Sequence, residues 1–152
     1  MEKTLAHIGI VRINHIGSTA VPCLLAKPTL DILLEIKDNT DTIGLKNSIE
    51  AIDYIYSYQP DNPPPHMMYM KGYTPNGFQG QAFHLHVRYA GDWDELYFRD
   101  YLLAHPDAVR EYGELKLRLK QQYEHDRDGY THAKTAFVRK ITARARKLNQ
   151  NE

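Results

Sequence analysis

Three groups of residues in this chain have the types and spacing to do chemistry. In His84-Leu85-His86 the two imidazoles are two residues apart, so on a strand both project from one face. Imidazole ligates borderline metals such as Zn²⁺, Mn²⁺ or Ni²⁺, and a carboxylate would complete a His–His–Asp set. Hydrogen bonding of the same histidines to their neighbours is the alternative. Asp31 stands inside the apolar run Leu30-Asp31-Ile32-Leu33-Leu34. An ionised carboxylate there needs a cation, a pairing residue or backbone amides. A metal satisfies that need, and so does a salt bridge to Lys27, Arg99 or Lys134. Gly17-Ser18-Thr19 falls between a strand and a short helix, where glycine permits close approach of a ligand and amides favour phosphate. An ordinary tight turn reads the same way.

The elements that must position these groups follow from periodicity. Ile10 to Ile16 alternates apolar and polar residues, which predicts a half-buried strand ending at Gly17. Thr29 to Ile36 is nearly continuous apolar sequence and predicts a strand buried on both faces. Asp41 to Tyr54 carries Ile43, Leu45, Ile49 and Ile52 at helical spacing, and Ile55 to Tyr58 suits a short strand. Asp61-Asn62-Pro63-Pro64-Pro65 predicts a loop. His66 to Tyr73 and Gln81 to Tyr89 read as a hairpin joined across Pro75-Asn76-Gly77.

Helices are expected over Asp92 to His105, Asp107 to about Glu124 and Tyr130 to Asn149, with Pro106 separating the first two. Tyr130, Lys134, Phe137 and Ile141 share one side of the last helix, predicting a buried face from which Lys134 reaches an anion or a carboxylate. The layout is α+β: a mixed sheet flanked by helices, with a helical C-terminal third, in one domain over residues 1–152.

Bulk properties narrow the function classes. Formal net charge is zero, so nothing marks nucleic acid or an anionic membrane as partner. From Arg110 to Lys147 there are 11 Lys or Arg against 5 Asp or Glu, and Arg139, Lys140, Arg144, Arg146 and Lys147 could meet a polyanion or simply form a solvated face. The 11 tyrosines are scattered over helix and loop, which suits packing better than base stacking. A single cysteine, Cys23, excludes an intrachain disulfide. No apolar run approaches the roughly 20 residues needed to span a bilayer. Met1 to Gly9 carries no secretory pattern, so a cytoplasmic location is expected.

These pieces occur in an order that resembles the GrpB family. His15-Ile16-Gly17-Ser18-Thr19-Ala20-Val21-Pro22, then Lys27-Pro28-Thr29-Leu30-Asp31-Ile32-Leu33, and later His84-Leu85-His86-Val87, look like its signature. Phe98-Arg99-Asp100-Tyr101-Leu102 with His105-Pro106 resembles the next block, and Tyr112 with Lys116, then Tyr130, Lys134 and Phe137, the last. The match runs from about Ile10 to Ala145. Two positions depart from it: Asn14 stands where glutamate is usual, and Cys23 where glycine is usual. Longer relatives are also expected to carry an N-terminal helix before the first strand.

The resemblance implies a nucleotidyltransferase-like fold. In active members of that superfold a Gly-Ser turn holds nucleotide phosphates, two acids on the next strand hold divalent metal, and a third acid lies on a neighbouring strand. Carried over, Gly17, Ser18, Thr19 and Lys27 would lie near phosphate, with Arg99, Lys116 and Lys134 supplying positive charge. Asp31 would be the catalytic acid, sharing one divalent metal (Mg²⁺, Mn²⁺, Zn²⁺ or Ni²⁺) with His84 and His86. Leu33 occupies the second acid position, so a two-Mg²⁺ site is incomplete. Three functions follow as expectations: binding of a nucleotide or other phosphate ligand, metal-dependent nucleotidyl transfer to an acceptor, and a non-catalytic accessory role with a protein partner. The last echoes the family's likeness to a domain fused to a coenzyme A biosynthesis kinase.

Overall fold

A computed structural model describes residues 9–24, 26, 28–58 and 66–151. The N-terminal segment read for a secretory pattern (apart from Gly9), Lys27 and the proline-rich loop at 61–65 lie outside the described residues. The elements are β1 (Ile10–Ile16), a 3-10 turn (Ser18–Ala20), β2 (Thr29–Ile36), α1 (Thr42–Glu50), β3 (Ile55–Ser57), β4 (Met67–Thr74), β5 (Gly77–Tyr89), α2 (Asp94–Ala104), α3 (Pro106–Gln122) and α4 (Arg127–Gln150). The class is α+β, as expected. The chain divides into two compact units, one holding the five strands and α1, the other the 3-10 turn and α2 to α4.

In the first unit the sheet order is β1-β2-β5-β4-β3. β2 and β5 run parallel, and the other three pairings are antiparallel. Alternation along β2 sends Leu34 and Ile36 into a core with Leu45 and Ile49 of α1, Met67 and Tyr69 of β4, and Leu85 and Val87 of β5. Asp31, Leu33 and Glu35 therefore project from the other face. Cross-strand pairing sets His84 beside Asp31, His86 beside Leu33 and Arg88 beside Glu35 on that face.

Glu35, which the sequence does not distinguish from an exposed acid, is completely buried. Its Oε1 accepts from Arg12 Nη2 at 2.7 Å and from the Gly91 amide at 3.1 Å, while the buried Oε2 has no hydrogen-bond partner among the described residues. Asp31, the acid the sequence singles out, is about one-third exposed.

Element ends differ from expectation for local reasons. α1 stops at Glu50 rather than Tyr54, and Asp53 then turns the chain with a left-handed φ of 72°. β5 starts four residues early because Thr74 pairs directly with Gly77 across a two-residue turn. Thr74 Oγ1 closes that turn, donating to the Gly77 carbonyl at 2.8 Å and accepting from the Asn76 amide at 3.2 Å. α4 begins at Arg127 rather than Tyr130 because Asp126 caps it, accepting from the Gly129 amide at 2.9 Å.

The second unit packs Val21, Leu102, Ala108, Tyr112, Phe137 and Ile141 into its own core. Tyr112 meets the Phe98 ring at 5.5 Å and the Phe137 ring edge-on at 4.9 Å. Phe137 and Ile141 are buried, so that side of α4 is the packed face its spacing predicts. The basic residues of α4 are partly committed to ion pairs: Arg146 with Asp94 at 2.6 Å and Lys140 with Glu111 at 3.6 Å. Among the described residues no helix is long and apolar enough to cross a membrane.

Candidate functional site

Two clusters, one in each unit, contain the residues with chemical potential. In the first, the parallel register of β2 and β5 places Asp31 between two imidazoles. Its Oδ1 lies 3.3 Å from His86 Nε2 and 3.5 Å from His84 Nδ1. Both histidines are thus neighbours of this oxygen, and Lys27, one of the partners considered for a salt bridge, lies outside the described residues. The far nitrogen of His84 is also engaged: Nε2 lies 2.7 Å from Tyr73 Oη. The two ring planes are 19° from parallel, with centroids 5.8 Å apart. All four side chains keep partial exposure.

Tyr73 was not legible as a site residue. Regular alternation from Tyr69 and Lys71 would send it to the α1 face, where Lys71 Nζ donates to the Ile52 carbonyl at 2.9 Å. The register shifts between Lys71 and Tyr73, at Gly72 with φ 91°, and the irregularity turns Tyr73 toward His84. A Cβ at Gly72 would lie 2.4 Å from the Gln81 carbonyl oxygen, so glycine is what allows this close pairing.

The resemblance implies a divalent metal beside Asp31. Mg²⁺ takes oxygen ligands in near-octahedral geometry, and a two-metal clamp needs several carboxylates. Here Leu33 follows on the same face, fully buried and apolar, and the adjacent strand offers imidazole nitrogen. Among the described residues no group of three or more His, Cys, Asp or Glu side chains is arranged to hold a metal ion. The donors do not fit a two-Mg²⁺ centre.

The second cluster gathers around Ser18. Gly17 has φ 75°, a conformation glycine adopts without strain, and Ser18 and Thr19 begin the 3-10 turn. Along α3, Ala108, Tyr112, Lys116 and Leu119 form the buried face, so a lysine occupies a core-facing position. Its Nζ donates to Ser18 Oγ and lies 4.6 Å over the Tyr112 ring. Burial, and then the nearby charge of Lys134, bring the Lys116 ammonium down to about 8. Lys134 Nζ itself lies 5.6 Å over the Tyr130 ring.

Tyr112 also hydrogen-bonds Ser18; burial and then Tyr130 push its phenol up to about 12, with the Ser18 bond opposing. Arg99 Nε and Nη2 donate to Asp100 Oδ1 at 2.9 and 2.8 Å. Of the expected phosphate residues, Lys116 bonds Ser18 and feels the charge of Lys134, and Gly17 and Thr19 flank Ser18 in sequence.

Comparison with known proteins places these features in context. A family model described as GrpB protein matches residues 1–144. A UPF0157 protein of Pseudomonas aeruginosa is 41% identical over 134 residues, covering 88% of this chain and 54% of that protein. The UPF0157 protein YqkA of Bacillus subtilis is 30% identical over 154 residues, covering 91% and 39%. This chain therefore spans about half of the first protein's length and less of the second's. The glutamate-rich protein GrpB of Alkalihalophilus pseudofirmus is 31% identical over 132 residues, covering 85% of this chain and 75% of that protein. The crystal structure of the conserved protein GrpB from Enterococcus faecalis superposes with a TM-score of 0.80 at 30% identity, covering 98% of this chain and 87% of that one.

Proposed function

Since the chain belongs to the GrpB family and shares the fold of its Enterococcus member, we propose that it binds a phosphate-bearing small molecule at Ser18, Lys116 and Lys134. A nucleotide is the class of ligand that the superfold resemblance implies. The observation that carries the reading is the buried Lys116, bonded to Ser18 and within range of the charge of Lys134. Two ammonium groups that oppose each other's charge destabilise the empty arrangement, and a dianion between them removes that cost. The Ser18 hydroxyl adds a hydrogen-bonding group at the same place.

Binding is favoured over two-metal transfer because Leu33 gives no ligand for a second cation and imidazoles stand beside Asp31. The phosphate charge is met by lysines, so a chelator in the buffer should leave the affinity unchanged.

Thermal unfolding in the presence of inorganic phosphate, pyrophosphate and ATP tests the proposal. At 100 times its dissociation constant a ligand stabilises by about 2.7 kcal/mol, which shifts the midpoint by roughly 5–10 °C in a chain of this size. Lys116→Met and Lys134→Met should each remove most of the shift. If none of the three ligands moves the midpoint of the unaltered protein, the reading fails.

A further inference from the structure

We infer that Tyr73 is a nucleophile whose hydroxyl is activated by His84, with Asp31 positioning the imidazole, and that it attacks an activated phosphorus(V) centre. Three observations within the first unit carry this. Tyr73 Oη and His84 Nε2 are 2.7 Å apart, inside the range for a nucleophile and its base. The opposite ring nitrogen, Nδ1, faces Asp31 Oδ1 at 3.5 Å, so the base is oriented by a carboxylate from its far side. Tyr73, His84 and Asp31 all keep partial exposure, so the group is open to a ligand from solvent.

This is the nucleophile–base–orienter order of an acyl- or phosphoryl-transfer triad, with a phenol in place of serine. The tautomer that the order requires carries its proton on Nδ1, toward Asp31. His86 Nε2 lies 3.3 Å from the same Oδ1. The backbone irregularity at Gly72 brings Tyr73 to this face, so the contact is set by the chain path as well as by the rotamer.

The step balances simply. Tyr73 Oη forms a bond to phosphorus, the bond to the leaving group breaks with its electron pair, and the phenolic proton moves to His84 Nε2. With a phosphoanhydride the leaving group is a phosphate; with a fluorophosphonate it is fluoride. The hard phenolic oxygen suits phosphorus as electrophile. The inference uses residues of the first unit only and does not depend on the lysine cluster.

A fluorophosphonate probe bearing no nucleotide keeps the two proposals separable. The protein is incubated with the probe and digested, and adduct formation is timed by mass spectrometry at Tyr73 and at the exposed Tyr58 of the same molecule. Labelling at Tyr73 is expected to be at least tenfold faster than at Tyr58, to vanish in Tyr73→Phe, and to slow at least tenfold in His84→Gln. Asp31→Asn, which removes the charge but keeps the shape, should slow it also, with circular dichroism confirming the fold of each variant. No adduct at Tyr73, equal rates at the two tyrosines, or an unchanged rate in folded His84→Gln would each overturn the inference. The internal Tyr73 to Tyr58 ratio decides the matter even where a variant does not fold.

Discussion

Tyr73 meets His84 across two strands because Gly72 interrupts the alternation of β4, and the 2.7 Å contact between phenol and imidazole depends on that interruption. Residues before it, Tyr69 and Lys71, face α1; the residue after it faces the side that carries Asp31 and both histidines. Replacing the glycine should therefore do two things at once. Gly72→Ala forces a side chain into a left-handed conformation and sets its Cβ 2.4 Å from the Gln81 carbonyl oxygen. A loss of about 2–4 kcal/mol is expected in urea unfolding, with the reactivity of Tyr73 falling to that of an ordinary surface tyrosine. A variant as stable as its parent would show that the strand path is not held by Gly72.

The lysine cluster makes a prediction about pH. Lys116 titrates near 8 in the folded chain and near its ordinary 10.5 when unfolded. Between these values the unfolded chain binds more protons, so stability rises with pH. The cost of the buried charge is present in full below about pH 8 and is gone above about 10.5. Tyrosine ionisation in the unfolded chain acts in the opposite direction near pH 10, but it is shared by parent and variant. The stability of Lys116→Met relative to the parent should thus fall by on the order of 2 kcal/mol as pH climbs through this window. A difference that stays flat from about pH 8 to 10.5 would mean that Lys116 is charged throughout.

Glu35 and Arg12 test the sheet rather than the site. Arg12→Ala leaves a fully buried carboxylate with one fewer donor and should cost about 2 kcal/mol, less than a wholly buried pair would because the guanidinium is half exposed. The double variant Arg12→Met, Glu35→Leu removes both charges and should recover most of that loss, as measured by denaturant midpoints. Failure of the double variant to recover would point to a role for Glu35 in placing the Gly91 amide.

Cys23 offers a stabilising change. It stands where glycine is usual in the resemblance and has φ 66°, a region that disfavours L side chains by roughly 1–2 kcal/mol. Glycine removes that strain but adds freedom to the unfolded chain. Cys23→Gly should therefore raise stability by about 0.5 kcal/mol, seen as a rise of one or two degrees in the thermal midpoint. A decrease would show that the exposed thiol makes a compensating contact.

Much of the positioning was legible in the residues themselves. Alternation placed β1, and a nearly continuous apolar run placed β2, at the bounds observed, and the period of two put His84 and His86 on one face. Helical spacing found the packed side of α4 through Phe137 and Ile141. Each of these patterns is local, and each reflects a repeat that every residue of the element obeys. The GrpB resemblance, carried by motifs in order, implied Gly17, Ser18, Thr19, Lys27, Arg99, Lys116 and Lys134 as phosphate residues.

What tertiary structure decided lies where a local repeat breaks or where the partner comes from a distant segment. Tyr73 was invisible because one irregular residue reversed the parity that sequence reasoning extends along a strand. Glu35 read as an ordinary acid because its burial depends on Arg12 of another strand and on the amide of Gly91. Lys116 owes its low pKa to desolvation and to Lys134 on a separate helix. Burial and electrostatics are sums over neighbours in space, and a chain read in order contains those neighbours without saying which of them meet.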